Sequence, residues 1–565
     1  MKPPARWQVY TPPEQDLAAL GDLPPLIARL LHRRGVRSAA AVQRFLAHQR
    51  PPFDPLSMAD MPRAVERIQH AIATGEHIVV HGDFDADGIT STLLMGQTLH
   101  ALGAKVHVYI PHRVDEGYGL NLDAIRRMAQ HGVRLVVSVD CGIRAHEAVA
   151  EAARLGVDIV ITDHHIPDET LPPAVAVVNP RRHECPGDPT LAGVGVAWML
   201  ASALLAQAPS ASLSADALLD LVAIGTVGDI VPLRGLNRAL VAEGLERLRT
   251  APRPGVLALL QQARRAAHTL DAEALAFVVV PRLNAAGRLD HAMLAYHLLR
   301  TTNPAKAADL AARLEAINTE RRRRTDALEA EALAHLGDDD SPLIAVAGAS
   351  YHPGLMGLVA ARLAERFHRP ALVLHAEGDE WRGSLRNPLP NLNITAVLDE
   401  CAHLLRRYGG HSAAAGVSVA AENAEAFMAC LREHLALSLS KIDITPVLTI
   451  DAPLAPHHIT PELLDWLERL QPFGEGNPAP VFLATRLQVE LPTLVGHDER
   501  HIRLRLRDEQ GRTWSAIAFN QAEQWRAGMP PFVDIVYSID TSANLLYDGI
   551  TLRILDMHPS KEDSL

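Results

Sequence analysis

Three carboxylates alternate along His81-Gly82-Asp83-Phe84-Asp85-Ala86-Asp87-Gly88, directly after the apolar run Ile78-Val79-Val80. Like charges crowded in this way repel one another unless cations sit among them. Two further stretches have the same form, Leu135 to Asp140 and Ile159 to His165, each an apolar β-type run ending in ligand-type side chains. A fourth apolar run, Ala223 to Val231, reaches Asp229 and is expected to be a fourth strand end. In an open parallel sheet the strands end along one edge, so side chains from scattered sequence positions converge in one crevice. Carboxylate oxygens and imidazole nitrogens without a thiolate cluster suit Mn2+ or Mg2+ rather than structural zinc. The number of candidate ligands points to two ions.

Plainer readings explain less. Asp83-Phe84-Asp85-Ala86-Asp87-Gly88 opens like an EF-hand loop. Position twelve, however, is Leu94 where a bidentate Glu is required, and a β-type run precedes the loop instead of a helix. Asp163 or Asp229, taken singly, fits a helix N-cap; their coincidence with two other such ends argues against it. His164 and His165 are neighbours, so both cannot easily face one ion, and one ligand with one second role is expected.

These side chains need elements to hold them. A chain of 565 residues is expected to fold as about three or four domains with ample core. From about residue 76 to 235, β-type runs alternate with helical ones, a βαβ pattern that implies a mostly parallel sheet. A long helical pattern follows Asn303-Pro304; its middle, Asn318 to Asp326, is polar all round, as in a helix crossing solvent between domains. After Asp338-Asp339-Asp340 a second, smaller α/β pattern begins, and from about residue 447 five short β-type runs suggest a small barrel of OB type. The expected divisions are an N-terminal extension (1–45), a first α/β domain with a helical extension (46–302), a connecting helix (303–337), a second α/β domain (338–440) and an OB-like domain (447–560). In the last of these, Ile502, Leu504 and Leu506 alternate with Arg503, Arg505 and Arg507, as expected of a strand with one face inside a barrel and a basic face outside.

Composition narrows the function classes. Hydrophobic residues make up 48% and charged residues 21%. No apolar run approaches a membrane span or secretory signal, so a soluble, cytoplasmic protein without membrane contact is expected. Four cysteines, Cys141, Cys185, Cys401 and Cys430, show neither a CxxC pair nor a disulfide framework, in keeping with a reducing compartment. The net charge of −12 gives no general basic coat for nucleic acid, so any polyanion site must be local or assisted by metal.

In this order, HGDFDADG, SVDCG, TDHH and GTVGDIVPL, then PRLNAAGRL, YHPGLMG, GSLRN and GGHSAAAG resemble the motifs of the DHH phosphoesterases and, among them, of the RecJ family of single-strand-specific exonucleases. Each motif alone is weak; the ordered set is specific and covers residues from about 20 to 560. Phe84 stands where Tyr is usual, and Gly228 where Ala is common, neither at a ligand position. The resemblance implies a parallel-sheet DHH domain, a smaller α/β DHH-associated domain joined to it by the long helix, and a C-terminal OB-like β-barrel. It implies one ion held by His81, Asp85 and Asp140 and a second by Asp87, Asp140, His164 and Asp229. Asp83 and Asp163 would orient their neighbours, and His165 would face the scissile phosphate. Ser384 and Arg386, with Arg113, would hold a terminal phosphate; Arg282, Asn284 and Arg288 would follow the strand backbone; His352 and His411 would lie near the reacting end, and Tyr351 would stack on a base.

The activity implied is a metal-dependent 5′→3′ exonuclease on single-stranded DNA in repair and recombination. It would use two Mn2+ or Mg2+ ions, act as a monomer and have a single-strand-binding protein and a helicase as partners. A small-substrate DHH phosphodiesterase generally lacks the N-terminal extension and the tail, and a catalytically dead scaffold would have lost ligands that are all present here.

Overall fold

The computed structural model describes residues 4–336, 341–496, 499–525, 528–540 and 550–560; the Asp338-Asp339-Asp340 run lies outside them. The first α/β domain is built on five parallel strands, ordered Lys105–Tyr109, His77–His81, Val133–Val139, Asp158–Thr162 and Ala176–Val178. The central strands carry β-branched side chains on both faces because both faces are covered: Ile78, Val80, Val136, Val137, Ile159 and Val160 are almost fully buried. The chain goes from the second strand in space to the first, then crosses back to the third. The order of connection therefore reverses between His77–His81 and Val133–Val139, and ligand crevices form outside the strand ends at such a reversal. His81 and Asp140 stand there.

One of the expected strand ends is something else. Asp229 follows a helix, Leu219–Gly228, and is its C-terminal cap. The run is apolar because this helix is buried on all sides, and a short apolar run does not distinguish a buried strand from a buried helix.

The second α/β domain has five strands in the order Leu405–His411, Ala414–Ala420, Glu380–Arg386, Ala371–His375 and Ile344–Gly348, with only the last pair parallel. The helix Pro304–His335 joins the domains and spans about 48 Å at 1.5 Å per residue. Ala307, Leu310, Ala311 and Leu314 belong to the core of the first domain, Leu328 and Ala332 to that of the second. Its polar middle is not a bare solvent crossing: Asn318 and Thr325 are fully buried. Arg321 Nε donates to Asn318 Oδ1 (3.2 Å), and Arg362 of the second domain pairs with Asp326 (2.6 Å) and Glu329 (2.8 Å). The polar residues on one face pair with protein groups instead of water. Cys401 and Cys430, 29 residues apart, form a disulfide in this domain that no spacing rule signalled.

Beyond it, the strands Phe482–Val495, His501–Arg507, Thr513–Ala518, Thr551–Pro559 and Phe532–Asp540 close into a five-stranded barrel through pairing of the first with the last. Ile502, Leu504 and Leu506 point inward and Arg503, Arg505 and Arg507 outward. The opening segment packs on this barrel: Leu20, Ile27, Leu30, Leu31 and Val42 share its core, and strand Arg6–Val9 pairs in parallel with Val447–Ile450. Among the described residues no helix is long and apolar enough to cross a membrane.

Arg238, on the helix Gly235–Thr250, ties these parts together. Its guanidinium lies 3.6 Å from the centre of the Phe45 ring and donates to the carbonyls of Phe45 (2.6 Å) and Gln471 (2.6 Å), with Arg469 and Leu470 at 3.3 and 3.2 Å. It is 3% exposed. Arg238→Ala would strand buried carbonyls, and hydrogen bonds from charged groups contribute about 1.5–3 kcal/mol each. The expected result is a loss of about 3 kcal/mol in urea unfolding, with earlier proteolytic release of the C-terminal part. Unchanged unfolding would show that water replaces the guanidinium at little cost.

Candidate metal centre

Local backbone chemistry places each ligand. The strand His77–His81 delivers His81, and Asp85 then caps the helix Ala86–Ala101, its Oδ1 accepting from the amides of Asp87 (3.0 Å) and Gly88 (3.1 Å). A Cβ on Gly88 would lie 2.5 Å from the Asp83 carbonyl oxygen, so the turn needs glycine. Asp140 has φ +60, a left-handed conformation that Asp tolerates better than most residues. It turns the carboxylate into the crevice.

Two overlapping clusters result. Oxygens of Asp83, Asp85 and Asp140 lie within 4.8 Å of one another, as do ligand atoms of Asp87, His164 and Asp229. His164 Nε2 is 3.2 Å from Asp140 Oδ1, 3.5 Å from Asp229 Oδ2 and 4.0 Å from Asp87 Oδ2. Asp140 thus touches both groups. His81 is fully buried; Cys141 Sγ lies 3.7 Å from its Nδ1, and its Nε2 has no partner. Asp83 Oδ1, Asp140 Oδ1 and both ring nitrogens of His164 are likewise buried without hydrogen-bond partners. Buried polar atoms are rarely left unpaired, and so many acceptors facing one space fit divalent cations. Asp83, expected to orient its neighbours, stands with the ligands.

Electrostatics agree. Burial, then the Asp85 charge, pushes Asp87 up to about 7; burial, then Asp87, pushes Asp229 up to about 8. Asp83 and Asp140 are raised well above the usual carboxylate range, first by burial and then by neighbouring carboxylates. Burial holds His81 down at about 4 and, with the charge of His165, His164 at about 3. Neutral imidazoles and crowded carboxylates are what a cation requires.

The two adjacent histidines differ in their partners, although a ligand-type atom of each lies within 4.8 Å of Asp140 and of the other. His165 Nδ1 donates to Asp163 Oδ1 (2.7 Å), and Asp163 also accepts from the amides of His164, His165 and Ile143 at 2.7–3.1 Å. Burial alone would raise Asp163, but the hydrogen bond and charge of His165 hold it down at about 2. Burial alone would lower His165, yet the Asp163 hydrogen bond and the nearby carboxylates raise it to about 9. Both Asp163 oxygens are in use, in hydrogen bonds to the His165 ring and to backbone amides. The His411 ring, from the second domain, stacks on that of His165 at 6.2 Å.

A cationic cluster adjoins the carboxylates. Arg113 lies over the Phe84 ring at 4.5 Å. Arg386 Nη1 donates to Ser384 Oγ (2.7 Å) and to the Leu385 carbonyl (3.0 Å). Arg288 donates to the Gly354 carbonyl at 3.2 Å and is held down at about 9, first by burial and then by the charges of Arg113, Arg321 and Arg386. The charges of Arg113, Arg321 and Arg386 thus all reach Arg288, a concentration of cations suited to an anion. Other expected contacts do not reach it. Tyr351 is 1% exposed in the core of the second domain, so its ring has no free face. Arg282, also buried, pairs with Glu315 and the Val278 carbonyl and does not face the cleft. Asn284 uses its Oδ1 to accept from the Ala86 amide (2.7 Å), anchoring the metal loop, and His352 Nδ1 accepts from the Gly354 amide (3.0 Å).

Sequence reasoning missed Arg321, hidden in a run of four arginines, and the N-terminus of the helix Gly193–Ala206. The amides of Gly193 (2.7 Å) and Val194 (2.8 Å) donate to Asp87. A Cβ on Gly193 would lie 2.5 Å from Asp140 Oδ1. The only signal was the Gly-Val-Gly opening an apolar run. Groups that orient metal ligands carry about 10- to 100-fold in metal affinity or activity. Gly193→Ala, which displaces Asp140, is expected to weaken Mn2+ binding by about tenfold in calorimetric titration with circular dichroism unchanged; wild-type affinity would refute the contact's importance.

Family models match three parts of the chain: the DHH family N-terminal domain over residues 77–226, the DHHA1 domain over 340–436 and the RecJ OB domain over 450–545. The single-stranded-DNA-specific exonuclease RecJ of Bacillus subtilis is 37% identical over 527 residues, 92% of this chain, which spans 66% of that relative. The protein of the same description from Escherichia coli is 36% identical over 544 residues, covering 92% of this chain and 93% of its own length. The crystal structure of RecJ from Thermus thermophilus in complex with Mn2+ superposes with TM-score 0.83 at 30% identity, over 99% of this chain and 80% of that one; the Mg2+ complex gives 0.77 at 29% identity, over 99% and 79%. The ordered motifs, the three domains and the crowded ligand set have one explanation: this chain belongs to the RecJ family.

Proposed function

We propose that the chain is a single-stranded-DNA-specific exonuclease that hydrolyses phosphodiester bonds in the 5′→3′ direction with two divalent ions, Mn2+ or Mg2+. The observation that carries this reading is the pairing of two ligand clusters, sharing Asp140, with an arginine pocket beside them. His81, Asp83, Asp85 and Asp140 would hold one ion, and Asp87, Asp140, His164 and Asp229 the other. Ions held by these residues would supply an acidified water and charge neutralisation at the reacting phosphate. Asp163 fixes the ring of His165 so that Nε2, the nitrogen not bonded to Asp163, is available to a non-bridging oxygen of the scissile phosphate. Arg113, Arg288, Arg386 and Ser384 grip a terminal phosphate, which makes an end-specific enzyme of a phosphodiesterase. The exposed arginines of the barrel's second strand offer a track for the remaining backbone. A cytoplasmic role in DNA repair and recombination, alongside a single-strand-binding protein and a helicase, belongs to the same proposal.

The test uses oligonucleotides labelled at either end, single or double stranded, with Mn2+ or Mg2+. Mononucleotide should appear first from the 5′ label of the single strand. Release from the 3′ label first would overturn the polarity, and absence of cleavage would overturn the activity.

A further inference from the structure

Cys401 and Cys430 are distant in sequence, and the fold brings a third ligand-type side chain to them. Cys401 is the C-terminal cap of the helix Ile394–Glu400 and is fully buried. Cys430 lies within the helix Ala424–Leu439, and His434 follows four residues later on the same helix. Residues four apart share one face of a helix, so the imidazole stands beside the Cys430 sulfur. One ligand atom from each of the three side chains lies within 4.8 Å of the other two. The His434 carbonyl accepts from Ser438 Oγ (2.8 Å), but among the described residues none forms a hydrogen bond or ion pair with its ring.

Hydrocarbon surrounds the inner side of this group: Val397, Leu398, Phe427 and Leu431 belong to the same core as Cys401. A disulfide that only staples two helices needs no more than such neighbours. An imidazole brought against two sulfurs adds the third member of a Cys2His donor set, which suits a borderline-soft ion such as Zn2+ and differs from the carboxylate-rich cleft. Cys430 and His434 are half-buried. An ion can therefore approach from solvent, while Cys401 anchors the inner side.

We propose that Cys401, Cys430 and His434 form a zinc site in the reduced chain, and that the disulfide is its metal-free, oxidised form. Disulfides open in a reducing compartment. A dithiol reductant gives up two electrons and two protons as it closes to its own disulfide, and Cys401 and Cys430 take them up as two thiols. One Zn2+ then displaces the two thiol protons and binds two thiolates and the neutral imidazole, with a water in the fourth position. Cys401 leads through the turn Ala402–Leu404 into the edge strand Leu405–His411, whose last residue stacks on His165. Disulfide and ion alike tie the root of that strand to the helix Ala424–Leu439, so the tie persists in both redox states.

Co2+ substitutes for Zn2+ in such sites and reports thiolate bonding by a sulfur-to-cobalt charge-transfer band in the near ultraviolet, which oxygen and nitrogen ligands do not give. The full chain, reduced with a dithiol and then freed of it under argon, is expected to show this band on addition of Co2+ and to lose it on addition of Zn2+. The oxidised chain, whose carboxylate cleft is the same, should show no band. His434→Ala, a change on a half-buried helix face, should weaken Co2+ binding at this site by at least about tenfold, since even groups that only orient a ligand carry that much. Cys401→Ser/Cys430→Ser keeps Cys141 and Cys185 and should lose the band. Zn2+ should also protect Cys430 of the reduced wild type from iodoacetamide, read by peptide mass spectrometry. A reduced chain without the band, or with Cys430 alkylated equally fast with and without Zn2+, would overturn the site. An undiminished band in the double variant would overturn it too, because the thiolate would then be Cys141 or Cys185. Unchanged Co2+ affinity in His434→Ala would refute the three-ligand set.

Discussion

Asp140→Ala is expected to lower nuclease activity by several orders of magnitude while the chain stays folded and still binds single-stranded DNA. Asp140 is the one carboxylate placed against both ligand clusters, within reach of Asp83 and Asp85 on one side and 3.2 Å from His164 on the other. Removing it takes a ligand from each ion at once, whereas Asp229→Ala takes one from a single ion. Stability supplies the independent readout. Without cations the buried carboxylates repel one another, so the metal-free Asp140→Ala protein should melt no lower than the metal-free wild type. Mn2+ should then stabilise the wild type by about 2.7 kcal/mol at a hundredfold excess over its dissociation constant, and the variant much less. Cleavage at the wild-type rate, or an undiminished Mn2+-induced rise in Tm, would remove Asp140 from its bridging position.

How much of this centre was readable depended on what each residue does locally. His81 ends, and Asp87 and Asp140 follow, strands that are mostly buried on both faces, and that environment writes itself as a mainly apolar, β-branched run. Asp229 stands among the candidate ligands but follows a helix instead of the expected strand, because a helix buried all round has no amphipathic stripe to give its period away. The arginines were harder. Arg282 and Arg288 are six residues apart in one motif, yet one is bound to Glu315 and the other joins the anion pocket; nothing in spacing says which side of a helix meets the cleft. Arg321 sits among Arg321-Arg322-Arg323-Arg324, where Arg323 and Arg324 pair outward with Glu320. Only the docking of the second domain separates them. Tyr351 failed for a similar reason: its neighbourhood in a Gly-rich motif resembles a binding loop, but the ring is core.

The barrel and the opening segment show the limit of reading along the chain. Alternation identified the inward and outward residues of His501–Arg507, since a strand in a barrel has a strict period of two. The contact between residues 20–42 and that same barrel has no local signature. Two amphipathic helices at the start of a chain call for a partner without naming it.

Arg386→Ala tests what turns a two-ion centre into an end-directed nuclease. Arg386 is fixed by its hydrogen bonds to Ser384 and to the Leu385 carbonyl, and a Cβ on Gly357 would lie 2.8 Å from its Nη2. It is a pre-set donor, its pKa lowered first by burial and then by the charge of Arg113, and its own charge lowers Arg288 in turn. Cations driven this close cost energy in the free protein, and an incoming phosphate dianion relieves it. Losing one partner of a buried charge pair costs about 2–5 kcal/mol, or roughly 30- to 4000-fold. On 5′-phosphorylated strands kcat/KM should therefore fall by at least about thirtyfold. On 5′-hydroxyl strands the fall should be much smaller, because the terminal charge is already missing. The ratio of the two substrates is the decisive quantity, since a variant that merely loosened the second domain would lower both alike. Gly357→Ala gives a second route to the same answer: its methyl would displace the guanidinium without removing the charge, and it should shrink the phosphate preference in the same direction. Equal losses on both substrates would make Arg386 a general backbone contact and move end recognition elsewhere.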